Sequence, residues 1–234
     1  MEPAAGRVDA GRVIGEAFST YREFLAPLLG GALIVVGIAA VVNGLLAASG
    51  NLALVLLGSV VAFGAQFLYT GYVVKLVQDI RDGRRDQSMG ELFSAAAPYV
   101  VTLVLNGILA GIAIAIGFLA LVVPGLILIT IWAVIAPSIV VEDRGPIEAF
   151  RRSHELVRGD GWAVFGAIVL AFLIVFAVSF LAGVIGEAIG DDAGRVIGGT
   201  IGNVLIVPIA ALVSSILFFD LGGGREPAPA EALG

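Results

Sequence analysis

REFLAPLLGGALIVVGIAAVVNGLLAASGNLALVLLGSVVAFGAQFLYTGYVVKLVQDIRDGRR, residues 22–85, holds two apolar runs separated only by the short turn Ser49–Asn51. Leu25–Ala48 and Leu52–Leu76 each exceed the roughly 20 residues that a helix rising about 1.5 Å per residue needs to cross about 30 Å of hydrocarbon. Arg22 stands before the first run, Lys75, Arg81, Arg84 and Arg85 close the second, and no basic residue lies between. The stretch therefore reads as two membrane-crossing helices whose outer ends share the positively charged side.

Four more runs follow, at Tyr99–Ala120, Pro124–Val141, Trp162–Ile185 and Val196–Phe219. Arg7 and Arg12 join Arg22 ahead of the first span, Arg144, Arg151, Arg152 and Arg158 lie between the fourth and fifth, and Arg225 follows the sixth. Of the 13 Lys and Arg residues, Arg195 alone falls on the other side. The pattern predicts an all-α, six-span protein of the bacterial inner-membrane type, with both termini cytoplasmic. Met1–Tyr21 carries acidic residues before any apolar run, and the first run is longer than a signal-peptide core, so it is expected to be a retained span.

Composition agrees. Hydrophobic residues make up 59% of the chain and charged residues 14%, against about 45–50% and about 25% in soluble domains. The net charge of −6 comes from carboxylates mixed among the arginines, and no basic surface large enough for nucleic acid is foreseen. With no cysteine there is no disulfide framework and no thiolate chemistry.

Before each pair of spans the chain carries a short amphipathic stretch, containing Glu16-Ala17-Phe18, Glu91-Leu92-Phe93 and Glu148-Ala149-Phe150. This suggests one membrane domain, 1–221, made of three repeat-like units at about 9–80, 88–141 and 146–220, followed by a flexible cytoplasmic tail, 222–234. Ser88-Met89-Gly90-Glu91 has the form of a capping box. The third stretch opens at Pro146 and closes at Gly159, as a helix would. At 100° per residue, Ile147, Ala149, Phe150, Ser153, His154, Leu156 and Val157 fall on one half of its wheel, and Glu148, Arg151, Arg152, Glu155 and Arg158 on the other. Glu148 and Arg152 have the spacing of a helical ion pair.

Pro124-Gly125, Ala136-Pro137, Glu142, Glu148-Ala149-Phe150, Arg152-Ser153, Leu156-Val157, Gly159 and Trp162, with the ending Phe218-Phe219-Asp220-Leu221 and Arg225-Glu226, resemble the glycerophosphoryl diester phosphodiesterase membrane-domain family and its YciC-like relatives. The similarity covers about Ser88–Glu226. It implies a multi-span module that some relatives fuse to a soluble lipid-headgroup phosphodiesterase; no such enzyme domain is expected in this chain, and the motifs contain no catalytic residue.

No catalytic, cofactor or metal-binding residue is foreseen. His154 is the single histidine, which excludes a two-histidine metal site or a triad using a second histidine. No charge falls near mid-span, which argues against ion coupling through buried carboxylates. Asn43, Gln66, Asn106 and Asn203 are intramembrane amides that could line a pore or bond helix to helix. Gly107–Gly111 and Gly198–Gly202 have the spacing of close helix contacts, in a dimer or within the fold. Pro137 and Pro208 are expected to bend spans four and six, Trp132 lies mid-span, and Tyr72, Tyr99 and Trp162 are expected in the interfacial belts.

Two candidate sites emerge. Arg144, Arg151, Arg152 and Arg158 are candidates for lipid-headgroup contact, and Asn106, Trp132, Pro137, Asn203 and Pro208 for an intramembrane cavity. The reading is a non-catalytic module that organises membrane, contacts lipid or docks a protein partner, including a second copy of itself. The alternatives are a small transporter or channel with a cavity between spans three, four and six, and an accessory subunit of a lipid phosphodiesterase.

Overall fold

The computed structural model describes residues 8–83, 87–189 and 192–224. Arg7, Arg84, Arg85, Asp191, Arg225 and the 225–234 part of the expected tail lie outside the described residues, as does the side chain of Arg195. The described residues form helices and no strand: α1 (Ala10–Glu23), α2 (Leu25–Ala32), α3 (Ile38–Ala48), α4 (Leu52–Arg81), α5 (Met89–Ala96), α6 (Val100–Ala120), α7 (Val122–Ile131), α8 (Ile135–Glu142), α9 (Pro146–Val157), α10 (Gly161–Ile189) and α11 (Asp192–Asp220). Among the described residues, six segments are long and apolar enough to cross a membrane: Leu25–Ala48, Leu52–Arg81, Met89–Ala120, Val122–Glu142, Gly161–Ala188 and Gly202–Asp220.

Local chemistry sets several boundaries. Asp9 accepts the Arg12 amide at 2.7 Å to start α1, and Asn51 accepts the amides of Ala53 and Leu54 to start α4. Both halves of the Ser88–Glu91 capping box are formed. α9 begins with Pro146 at its first turn. Asp143, in the left-handed region at φ 54°, turns the chain out of α8.

α11 packs on α10, α1, α4, α8 and α2, while α3 lies on α4 and α6 on α7. Leu212, Ile216, Leu217 and Phe218 of α11 are buried with Tyr69, Tyr72 and Val73 of α4. Tyr72 is thus enclosed by the helices: its hydroxyl donates to the Pro27 carbonyl, and that of Tyr69 to Leu28, each at 2.9 Å. Enclosing a tyrosine is tolerable when its hydroxyl finds such a partner. Trp162, by contrast, is 87% exposed.

One glycine of each expected close-contact pair packs within the chain, while Gly111 faces open space. Gly107 lies under the Phe67 ring, where a side chain would collide, and Gly202 abuts Ala182. Span one carries a π-helical turn at Leu33–Gly37. Span four is not the single helix expected; it is interrupted at residues 132–134, whereas α11 continues through Pro208.

Candidate functional site

The interruption of span four is the most informative irregularity in the membrane-spanning part. Pro137 has no N–H to give the Ala133 carbonyl, and its ring crowds that carbonyl, so the helix parts just ahead of the proline. Freed backbone groups at membrane depth need protein partners. Ser214 of α11 supplies one, its hydroxyl donating to the Ala133 carbonyl at 2.7 Å. Ser153 of α9 supplies two: its Oγ donates to the Ile131 carbonyl at 2.9 Å and accepts the Val134 amide at 3.3 Å. Beside them the Trp132 ring meets Phe150 of α9 edge-on, 4.7 Å between centroids.

Ser153→Ala would strand the Val134 amide and the Ile131 carbonyl, and an unmet buried polar group costs about 1–3 kcal/mol. The thermal midpoint in detergent is expected to fall by several degrees. An unchanged midpoint would mean that the break does not depend on α9.

Trp132 also walls a groove of about 420 Å³ between α6, α7, α10 and α11, with Ile114, Ile129, Phe172 and Val213 among its lining. Apart from Trp132 and Ser214 the lining is apolar, and the Ser214 hydroxyl is already committed to Ala133.

The other candidate cavity residues lie elsewhere. Asn106 is buried and donates from Nδ2 to the Pro146 carbonyl at 2.7 Å, tying α6 to the start of α9. Pro137 and Pro208 are buried in α8 and α11. Asn203 lines a separate cleft of about 420 Å³ between α10 and α11, with Ser179 and Glu187. Of the five, only Trp132 reaches the groove.

Charged side chains collect where the ends of α4, α8 and α11 meet α1 and α9. Glu142, whose side chain is only 10% exposed, receives Arg152 through Nε and an Nη, both at 2.7 Å, Arg144 Nε at 3.4 Å and the Gly224 amide at 3.1 Å. Arg152 therefore pairs with Glu142 and not with Glu148. A sheltered carboxylate that fits the guanidinium fork outcompetes a solvated one a helical turn away. The bond to Glu142 holds the Arg152 guanidinium above even its ordinary pKa. A second cluster joins Arg12 to Asp220 at 2.9 Å and Arg81 to Glu16 at 2.5 Å and to Asp220 at 3.4 Å.

The four candidate headgroup arginines thus divide. Arg144 and Arg152 are held by Glu142. Arg151 faces outward, with an exposed partner, Glu155, at 3.5 Å. Arg158 is exposed and makes no ion pair among the described residues. The sequence does not mark Ser153, Glu142 and Asp220 as structural residues beyond a serine on the apolar face of α9 and single carboxylates closing two apolar runs.

These features define an integral membrane protein whose helices are cross-braced by charge at one end and flank an apolar groove beside a broken span. The chain belongs to UPF0259, an uncharacterised protein family, whose family model matches residues 52–213. A UPF0259 membrane protein of Pectobacterium carotovorum subsp. carotovorum (strain PC1) is 32% identical over 117 residues, which are 50% of this chain and 46% of that protein. The chain thus aligns with about half the length of that relative. No solved structure matches.

Proposed function

We propose that this protein is a non-catalytic, lipid-contacting module of a bacterial inner membrane, with both termini and the charged end in the cytoplasm. In this reading the chain is three units, each an amphipathic helix followed by a helical hairpin: α1 before α2–α4, α5 before α6–α8, α9 before α10 and α11. Twelve of the 13 Lys and Arg residues on one side support the orientation. Cysteines introduced singly at Gln87 and Asp192 should react with an impermeant reagent from opposite sides of the membrane. Equal labelling of both from outside would overturn the six-span orientation.

The observation that carries the lipid reading is the groove beside the break: its walls are apolar, and its hydroxyl already has a partner. At hydrocarbon depth such a groove suits a lipid acyl chain and offers nothing to a hydrated ion. Ala210 lines it, so Ala210→Trp should occupy the space and reduce photocrosslinking by a phospholipid with a photoreactive acyl chain several-fold. Undiminished crosslinking at Trp132 and Phe172 would remove the groove as the site.

A small transporter is the second reading, favoured by the cleft that holds Asn203, Ser179 and Glu187. The engagement of Asn106 by Pro146 weighs against a polar path through spans three and four. Service as an accessory subunit of a lipid phosphodiesterase rests on the sequence resemblance alone.

A further inference from the structure

Near the end of α4 a polar pocket of about 160 Å³ is lined by Lys75, Gln78, Asp79, Asp82, Gln87 and Ala95. Asp79 is only 5% exposed, and its Oδ1 is buried with no hydrogen-bond partner. A buried carboxylate oxygen left in that state is costly. Lys75 lies one helical turn earlier on the same face, yet its Nζ turns to Gln78 Oε1 at 3.2 Å and over the Tyr99 ring, 5.4 Å from the centroid. The pocket therefore presents two carboxylates, Asp82 and Asp79, the second with one buried oxygen that has no donor, and an ammonium whose hydrogen-bond partner is neutral; Asp79 and Lys75 are not bonded to each other.

We propose that this pocket binds a zwitterionic headgroup, a primary ammonium joined to a phosphate, with the ammonium donating to Asp79 Oδ1 and the phosphate facing Lys75. A primary ammonium supplies the donors the site lacks. A divalent cation would sit against Lys75, and no cluster of three or more acidic, His or Cys ligands occurs among the described residues. The inference rests on α4 crossing the bilayer. Its 30 residues span about 45 Å, which places the last turns of α4, and the pocket with them, in the headgroup layer beyond about 30 Å of hydrocarbon.

The test uses the full chain, stripped of lipid in detergent, with melting followed against added short-chain phosphatidylethanolamine, short-chain phosphatidylcholine and free phosphoethanolamine. Phosphatidylethanolamine should raise the midpoint, and phosphatidylcholine, which has no N–H, should not. A shift with phosphoethanolamine as large as with the lipid would assign the pocket to a soluble ligand of the same chemistry, and a shift with the lipid alone to the membrane. Asp79→Asn should weaken the effect about tenfold or more, the scale of a lost charge-assisted bond. Lys75→Gln should weaken it too, and serves where Asp79→Asn does not fold. Equal shifts with both lipids, no shift with either amine, or unchanged response in a folded Asp79→Asn variant would each overturn the proposal. Persistent acyl-chain crosslinking in the groove under those outcomes would show that the pocket, and not the lipid reading, had failed.

Discussion

Glu142→Ala should destabilise the protein in detergent by about 3 kcal/mol, the lower range for breaking a buried ion pair by removing one partner. Four groups converge on this carboxylate: two donors of Arg152, Nε of Arg144 and the Gly224 amide. Without it, Arg152 would stay partly enclosed, its side chain 25% exposed, with no partner at bonding distance. That residual exposure keeps the expected loss at the low end of the range. Arg152→Ala should cost less, because Glu142 would keep Arg144 and the Gly224 amide. Equilibrium unfolding of both variants checks the order; a Glu142→Ala variant as stable as the parent would show that the Glu142 cluster contributes nothing to stability.

Phe218→Ala should cost about 3–5 kcal/mol, the usual range for emptying a fully enclosed aromatic site. The ring has no exposed surface and stands edge-on to Phe219, 5.2 Å between centroids. The turn after α11 folds over it: the Gly223 amide donates to the Phe218 carbonyl at 2.8 Å, and Gly223 lies so close under the ring that no side chain fits. Gly222 and Gly224 take left-handed backbone at φ 87° and 73°, which glycine adopts freely. Because this turn also delivers the Gly224 amide to Glu142, Phe218→Ala and Glu142→Ala should not be additive. Losses that simply sum would separate the turn from the carboxylate.

The spans could be read from sequence because each is a long apolar run with its basic residues outside, a signal that needs no knowledge of tertiary contacts. The same holds for the Ser88–Glu91 box and the start of α9 at Pro146, which are settled within a few residues. The break in span four was only half legible. Pro137 announces a distortion, but whether the helix bends or parts depends on Ser153 and Ser214, which come from other helices. Pro208 shows the contrast: α11 stays unbroken there, with the Tyr21 hydroxyl donating to the nearby Leu205 carbonyl at 3.2 Å.

The site residues were legible as residue types and not as partners. The sequence places Arg152 on the polar half of α9, but its pairing with Glu142 depends on how the end of α8 folds back on α9. Asn106, an amide in an apolar run, leaves pore lining and helix-to-helix bonding both open; its bond to Pro146 decides for the second and depends on a contact 40 residues away. Asp79 is inconspicuous in the sequence, since an acidic residue near a span end is ordinary, and only its enclosure makes it unusual.

The ion pair between Arg12 and Asp220 joins residues 208 positions apart, and Arg81 shares both Glu16 and Asp220 with it. A ribosome delivers α1 well before the end of α11, so this bracket cannot close until the end of α11 has been synthesised. Until then Arg12, Glu16 and Arg81 wait without Asp220, and the first helix has no final seat. The order of synthesis is thus written into this bracket: its closure must follow α11, and it reports that α11 has reached its place beside α1 and α4.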